Sequence, residues 1–241
     1  RPALMTSLGH TVDTAAVPAL IEGLLEKARG AREAALVALY RLHESLDAAG
    51  KAVIVDAIRK LDENAIRSTV RALMEATPPV REATAALLGW LGKLEMVRPL
   101  VLALGDSDAA VSEAAAQALI AIDAGDAALR ILADILPSVD PRSRGNVCRF
   151  FAKHAEMVRA RASAALRERL ATVLVSALTD QNTQSATAAA QALALLGDMG
   201  HHARLQQLAA NGGQAGTLAV EVLRKLDAAS GATPGTGGHA S

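Results

Sequence analysis

Few side chains in this sequence are of kinds that make or break bonds, and their spacing excludes the familiar catalytic arrangements. Cys148 is the only cysteine, so neither an internal disulfide nor a cysteine-based zinc cluster can form. No base stands at a recognisable spacing from it, and it reads as a packed structural thiol. His201 and His202 are adjacent. Neighbouring residues on a helix point about 100° apart, so this pair reads as a solvated helix start rather than a metal site. The sequence contains no Gly-rich phosphate loop, no His-Glu-x-x-His and no Gly-x-Ser-x-Gly. No catalytic residue, metal or cofactor is assigned, and the chain is read as a non-enzyme.

The residues that could do recognition chemistry are more numerous. Pro141 to Arg169 holds Arg142, Arg144, Arg149, Lys153, Arg159, Arg161, Arg167 and Arg169 against Glu156 and Glu168, eight cations and two anions, or +6. The whole chain is formally neutral, so the remainder carries −6. Arg142, Arg149 and Lys153 follow one another by 7 and 4 residues. That places them on one helix face, as a patch for an acidic protein, a phosphate or a nucleic acid. Glu33, Glu82 and Glu113 recur at one repeat position. They read first as first-turn acids that complement the helix dipole, and secondarily as a column for a cation or a basic peptide. Trp90 sits two residues past Leu88 between Gly89 and Gly92. Off the core stripe, it serves either as a binding anchor or as filler between repeats; Tyr40, one step past Leu39, reads as packing.

These residues need helices to position them. Hydrophobic residues make up 51% of the 241, yet only Trp90, Tyr40, Phe150 and Phe151 are aromatic. Ala and Leu dominate, which favours helix over sheet. A pattern recurs as Arg32-Glu33-Ala34-Ala35 leading to Leu39, Arg81-Glu82-Ala83-Thr84 to Leu88, and Ser112-Glu113-Ala114-Ala115 to Leu119. Weaker copies lead to Leu193 and Leu223. The steps are 31 residues from Leu88 to Leu119 and 30 from Leu193 to Leu223. The 49 from Leu39 to Leu88 hold one repeat plus an extra helix, Asp47 to Leu61. The 74 from Leu119 to Leu193 hold two repeats with an insertion, and Phe151, 32 past Leu119, fits the missing copy. Each copy follows another apolar helix: Val17 to Leu25, Ile66 to Met74, Val97 to Leu104, Leu129 to Leu136, Leu170 to Leu178 and Leu205 to Leu208. Breakers such as Gly30, Thr77-Pro78-Pro79 and Gly212-Gly213 separate them. Pairs this short cannot bury an apolar face alone, so they must stack on a shared core. The predicted fold is an all-α solenoid of about six helix pairs plus one extra helix.

Leu100 to Leu104, then Asp106, Asp108, Val111 and Ala114-Ala115, resemble the HEAT repeat, in particular the short bacterial form found in phycobilin lyases. The resemblance spans roughly residues 14 to 227. The Arg usual after Val stands at Arg32 and Arg81 but is Ser112 in the third copy, so the Asp–Arg ladder between repeats should be incomplete. Residues 1–13 read as a lead-in at a truncation point, because the chain begins at Arg1 without Met. Residues 14–229 read as the solenoid, and 230–241 as a flexible Gly/Thr/Ala tail. Solenoids expose a concave surface lined by the second helix of each pair, here including Ala86, Gln117, Arg149, Gln191 and Glu221. Its chemistry runs from acidic to basic, which suits an extended peptide or helical protein.

The predicted function is therefore a protein-interaction scaffold or adaptor, with Arg149, Lys153, Gln117, Gln191, Trp90 and Arg142 as partner-binding residues. Two alternatives come from the resemblance alone. A phycobilin-lyase-like accessory would need an aromatic-lined groove for a bulky tetrapyrrole. A HEAT-like DNA-binding protein would need a strongly basic face, against which the neutral net charge speaks. No run of eighteen apolar residues is present for a membrane span, and a cytoplasmic location is expected.

Overall fold

The computed structural model describes residues 2–8, 13–122, 126–197 and 201–231. It is all-α, with no strand among the described residues. Contacts divide the chain into two compact units, Arg1–Ala124 and Gly125–Ser241. The first contains α1 (Pro2–Leu8), α2 (Val17–Leu24), α3 (Arg29–Ser45), α4 (Ala48–Arg59), α5 (Glu63–Glu75), α6 (Pro78–Leu91), α7 (Val97–Ala103) and α8 (Ala109–Ala121). The second contains α9 (Ala127–Ile135), α10 (Pro141–Lys153), α11 (Ala155–Arg161), α12 (Ala164–Ala177), α13 (Thr183–Leu196), α14 (His202–Asn211) and α15 (Gly213–Gly231). The six expected pairs are α2/α3, α5/α6, α7/α8, α9/α10, α12/α13 and α14/α15.

Local chemistry fixes where these helices begin and end. Carboxylates of Asp47, Asp62, Asp108 and Asp140 accept backbone N–H bonds in the first turns of α4, α5, α8 and α10. Each satisfies a donor that the helix itself leaves open. Pro18, Pro79 and Pro141 occupy first-turn positions where no donor is needed. α6 and α13 stop at Gly92 and Gly197, both left-handed with φ of 70° and 72°, a conformation glycine adopts without the Cβ clash.

Within each unit the second helices form the inner row: α3, α6 and α8 in one, α10, α13 and α15 in the other. Leu39, Leu88, Leu119, Phe151 and Leu193, placed by the repeat alignment, are all 2% exposed or less. Contact is closest where side chains are smallest. A Cβ built on Gly89 would lie 2.7 Å from Ala118 Cα, and one on Gly145 would lie 3.3 Å from Ser185 Cα. These positions hold α6 against α8 and α10 against α13.

Three features depart from the sequence reading. The extra helix is present as α4, packed on α2, α3 and α6, but a second unpaired helix, α11, packs on α13. It follows α10 through a bend at His154 (φ −111°, ψ 27°) with no Gly or Pro to announce it. In the last pair Leu223 is only half-buried, and Val222 and Leu226 are buried instead. The turn at Gly212 and Gly213, both at positive φ, sets the phase of α15 one residue away from the repeat register. α15 continues to Gly231, so the proposed tail falls almost wholly outside the described residues.

Leu119→Ala should cost about 2–5 kcal/mol of stability, the usual range for a core leucine. Gly89→Ala should cost about 1–3 kcal/mol by forcing α6 from α8. Gly30→Ala, whose new Cβ would meet only Pro2 Cγ at 4.0 Å, should be neutral or stabilising by less than about 1 kcal/mol. Urea denaturation of the three variants checks the order, and a neutral Gly89→Ala would contradict the packing described.

Candidate functional site

In the first unit the exposed side of α3, α6 and α8 forms a groove of about 500 Å³. The alternation of core and solvent positions creates it. Leu88 and Leu119 point inward, while Ala86, Trp90, Glu113 and Gln117 line the groove. Gly89 and Ala118 bring the two helices close and make its floor shallow in side chains. Trp90 is half-buried. The His43 ring stacks on it at 4.0 Å between centroids, and Tyr40 lies parallel at 6.4 Å. Trp90 thus packs and lines a surface at once. The Tyr40 hydroxyl donates to Glu82 Oε1 at 3.0 Å, and Gln117 Nε2 donates to Glu113 Oε1 at 2.9 Å. Burial, with the Glu82 hydrogen bond and charge adding to it, pushes the Tyr40 phenol up to about 12, so it stays a neutral donor. Burial also lowers the His43 pKa, against the raising effect of the Glu44 hydrogen bond.

The expected column of carboxylates divides. Glu82 and Glu113 share the groove, joined by Glu44. Glu33 is ion-paired with Arg29 at 2.5 Å, one turn away on the same helix. Sequence spacing found Trp90, Gln117, Glu82 and Glu113 separately; it missed Glu44, His43 and the stacking of α3 residues on α6.

In the second unit Arg142, Arg149 and Lys153 are exposed on α10, and Arg149 Nη2 donates to Asn146 Oδ1. Gln191 is exposed on α13, the helix packed against α10 through Gly145. The basic segment is less uniform than its residue count implies. Arg144 reaches Asp180 Oδ2 at 2.5 Å and the carbonyls of Leu136 and Val139 at 3.1 and 2.9 Å. It is a strut between loops, and so does not belong to a surface patch. Arg169 pairs with Asp134 at 2.7 Å. Both acids come from outside residues 141–169, which is why counting along the chain overstated the local charge.

Arg144 is also the counterpart of Arg81, which binds both oxygens of Asp106 at 2.7 Å and the Ala76 carbonyl at 2.8 Å. Arg32 makes only the carbonyl contacts, to Glu26 and Lys27. In the third copy Ser112 Oγ donates to Leu104 O at 2.9 Å, a short substitute for the arginine. The signal for Arg144 was available: it precedes Phe151 by seven residues, as Arg81 precedes Leu88. Cys148 is fully buried, and its thiol is pushed up to about 12 by that burial. His201 Nε2 lies 2.9 Å from the Thr172 hydroxyl.

No protein-family model matches the chain, and no curated protein matches it. Among solved structures, the chain is similar to the archaeal HEAT-like repeats protein from Thermococcus onnurineus NA1, with a TM-score of 0.56 and 16% identity over 95% of this chain and 97% of that one. The fold is that of HEAT-like repeats. A designed armadillo repeat protein aligns more loosely, with a TM-score of 0.41 and 19% identity over 87% of this chain and 99% of that one. In this HEAT-like frame Arg81 and Arg144 tie successive repeats.

Arg144→Met strands Asp180, whose side chain is 4% exposed, and should cost about 3–5 kcal/mol. Arg142→Met should stay within about 0.5 kcal/mol, as a surface change does. The Arg81 hydrogen bond holds Asp106 below its ordinary 3.8. Burial pushes Asp180 up, but the Asn182 N–H and the Arg144 guanidinium more than offset it and the net shift is also downward. A depressed carboxyl stabilises fully above its unfolded value and loses that contribution as pH falls through its native one. Wild-type urea midpoints should therefore hold down to about pH 4 and drop below it, with a shallower drop in Arg81→Met.

Proposed function

We propose that this chain is a protein-interaction scaffold that docks a macromolecular partner on the exposed faces of its second helices. One observation carries the reading. Trp90, the only tryptophan, lines a surface groove of the second helices, although Ala and Leu fill the core around it. Large half-exposed aromatics are enriched at binding hot spots. A row of second helices buries one face in the core and leaves the opposite face for a partner, which is how repeat proteins bind.

In the second unit, Arg149 and Lys153 with Arg142 give that face a cationic character suited to an acidic protein segment, with Gln191 beside them. Nucleic acid fits less well. The chain is formally neutral, and Arg144 and Arg169 of the basic segment are engaged by Asp180 and Asp134. Gln117 and Trp90 serve the first unit. No described helix is long and apolar enough to cross a membrane.

The double change Arg149→Glu and Lys153→Glu should leave the melting temperature within a few degrees, because both residues are exposed. It should weaken an acidic partner by about 1–3 kcal/mol. Affinity capture with wild type, the double variant and Trp90→Ala, followed by titration of the recovered partner, checks this. A partner bound equally by all three at low salt would remove the proposed face.

A further inference from the structure

The extra helix α4 creates a second groove in the first unit. Packed beside α2, it borders a concave space of about 680 Å³. The two helices line it in matching rhythm. Pro18, Ile21 and Leu25 follow one another by 3 and 4 residues along α2 and its C-cap. Val53, Ala57 and Leu61 follow by 4 and 4 along α4 and just past its end. Each set is one helix face about two turns long. Their side chains reach solvent: Leu25 is 55% exposed and Val53 45%, and Ile21, Ala57 and Leu61 are half-buried. Single apolar residues on a surface are ordinary, whereas a run of them converging on one groove marks an interaction site. Charge around the groove is one-sided. Asp56, Asp62 and Lys60 are its charged lining residues. Asp13, Glu22 and Glu63, each next in sequence to a lining residue, are exposed as well. Arg59, next to Lys60, is turned to the Trp90 carbonyl, to which its Nε donates at 3.3 Å. None of these carboxylates enters an ion pair among the described residues.

We infer that this groove seats an amphipathic helix of a partner protein, its apolar stripe laid between α2 and α4 and its flanks carrying lysine or arginine toward the acidic rim. Two helix faces side by side, each with residues three or four apart, offer the ridges and grooves into which a third helix packs. An extended segment fits worse. Against these apolar side chains its backbone N–H and C=O groups would lose water without gaining partners, whereas a helix satisfies its own. The rim selects the flanks, because an acidic helix would set like charges against Asp56 and Asp62 and a basic one opposite charges. The same rim disfavours a second copy of this chain, since a two-fold contact would bring two acidic borders together. It also disfavours an anionic lipid surface, which attracts basic segments. The groove belongs to α2 and α4 and not to the second helices, so it is a separate interaction surface and stands independently of the docking face proposed above.

The test uses purified full-length protein and a dye-labelled peptide of about five helical turns, with leucines three and four residues apart and lysines on both flanks. Binding is followed by fluorescence anisotropy. Two control peptides are run beside it, one with the same leucines and glutamate flanks, the other with the lysine composition shuffled so that no apolar face forms. The lysine helix should bind saturably, and both controls at least about tenfold more weakly. The double change Leu25→Ser and Val53→Ser should weaken the lysine helix about tenfold. Because both residues are exposed, it should leave the melting temperature within a few degrees. Asp56→Lys should weaken the lysine helix and strengthen the glutamate one. Absence of saturable binding, equal affinity for the lysine helix and either control, or wild-type affinity in the Leu25 and Val53 variant would each overturn the assignment. So would a chain that sediments as a dimer until Leu25 and Val53 are replaced, which would give the groove to a second copy.

Discussion

The approach of one second helix to the next is the constraint on which each unit depends. Gly89 against Ala118 leaves no room for an added methyl group, and Gly145 against Ser185 leaves little. That closeness lets Leu88 and Leu119 in the first unit, and Phe151 and Leu193 in the second, close over the core of their own unit although their helices have only 13 or 14 residues. Helices of this length are marginal alone in water and owe their stability to the face they bury. The abundance of alanine then has a mechanical meaning. Small side chains trade area per residue for proximity between backbones, and the larger apolar residues fill the core beside them.

The same closeness shapes the outer surface. With α6 and α8 nearly touching through Gly89 and Ala118, side chains on their flanks diverge and leave a groove whose floor is small and whose walls are long. Trp90, Glu82, Glu113 and Gln117 are those walls. Loop struts hold successive pairs in register from the other end. Arg81 clamps Asp106, and Arg144 clamps Asp180, each also satisfying carbonyls of the preceding loop. The Gly89–Ala118 contact lies in the same pair of repeats that Arg81 and Asp106 tie.

Much of this was legible in the residue order because repeats translate three-dimensional equivalence into fixed spacing. Leu39, Leu88, Leu119 and Phe151 announced the core, and Asp47 to Leu61 announced α4. The failures have physical causes. α11 showed in the spacing only as an insertion between Phe151 and Leu193, because the bend that starts it has no glycine or proline to mark a helix. Leu223 lost its core position because the Gly212-Gly213 turn rotates α15 against the repeat register. Arg144 was counted with surface cations because its partner, Asp180, is 36 residues away. The aromatic cluster was hidden for a related reason. Tyr40 and His43 meet Trp90 across a repeat interrupted by α4, so an alignment that places Tyr40 one step past Leu39 and Trp90 two steps past Leu88 does not bring them together. The site was thus visible as separate residues but not as a surface.

Native-state hydrogen exchange tests most directly the claim that stacking of second helices carries the fold. Amides of α6 and α8 in one unit, and of α10 and α13 in the other, should be the slowest to exchange, opening only with their whole unit. Those of α2, α7 and α9, which lie outside the inner row, should exchange faster through local opening. If α7 and α9 prove the most protected while α6 and α8 exchange readily, the inner row is not the element on which these units are built.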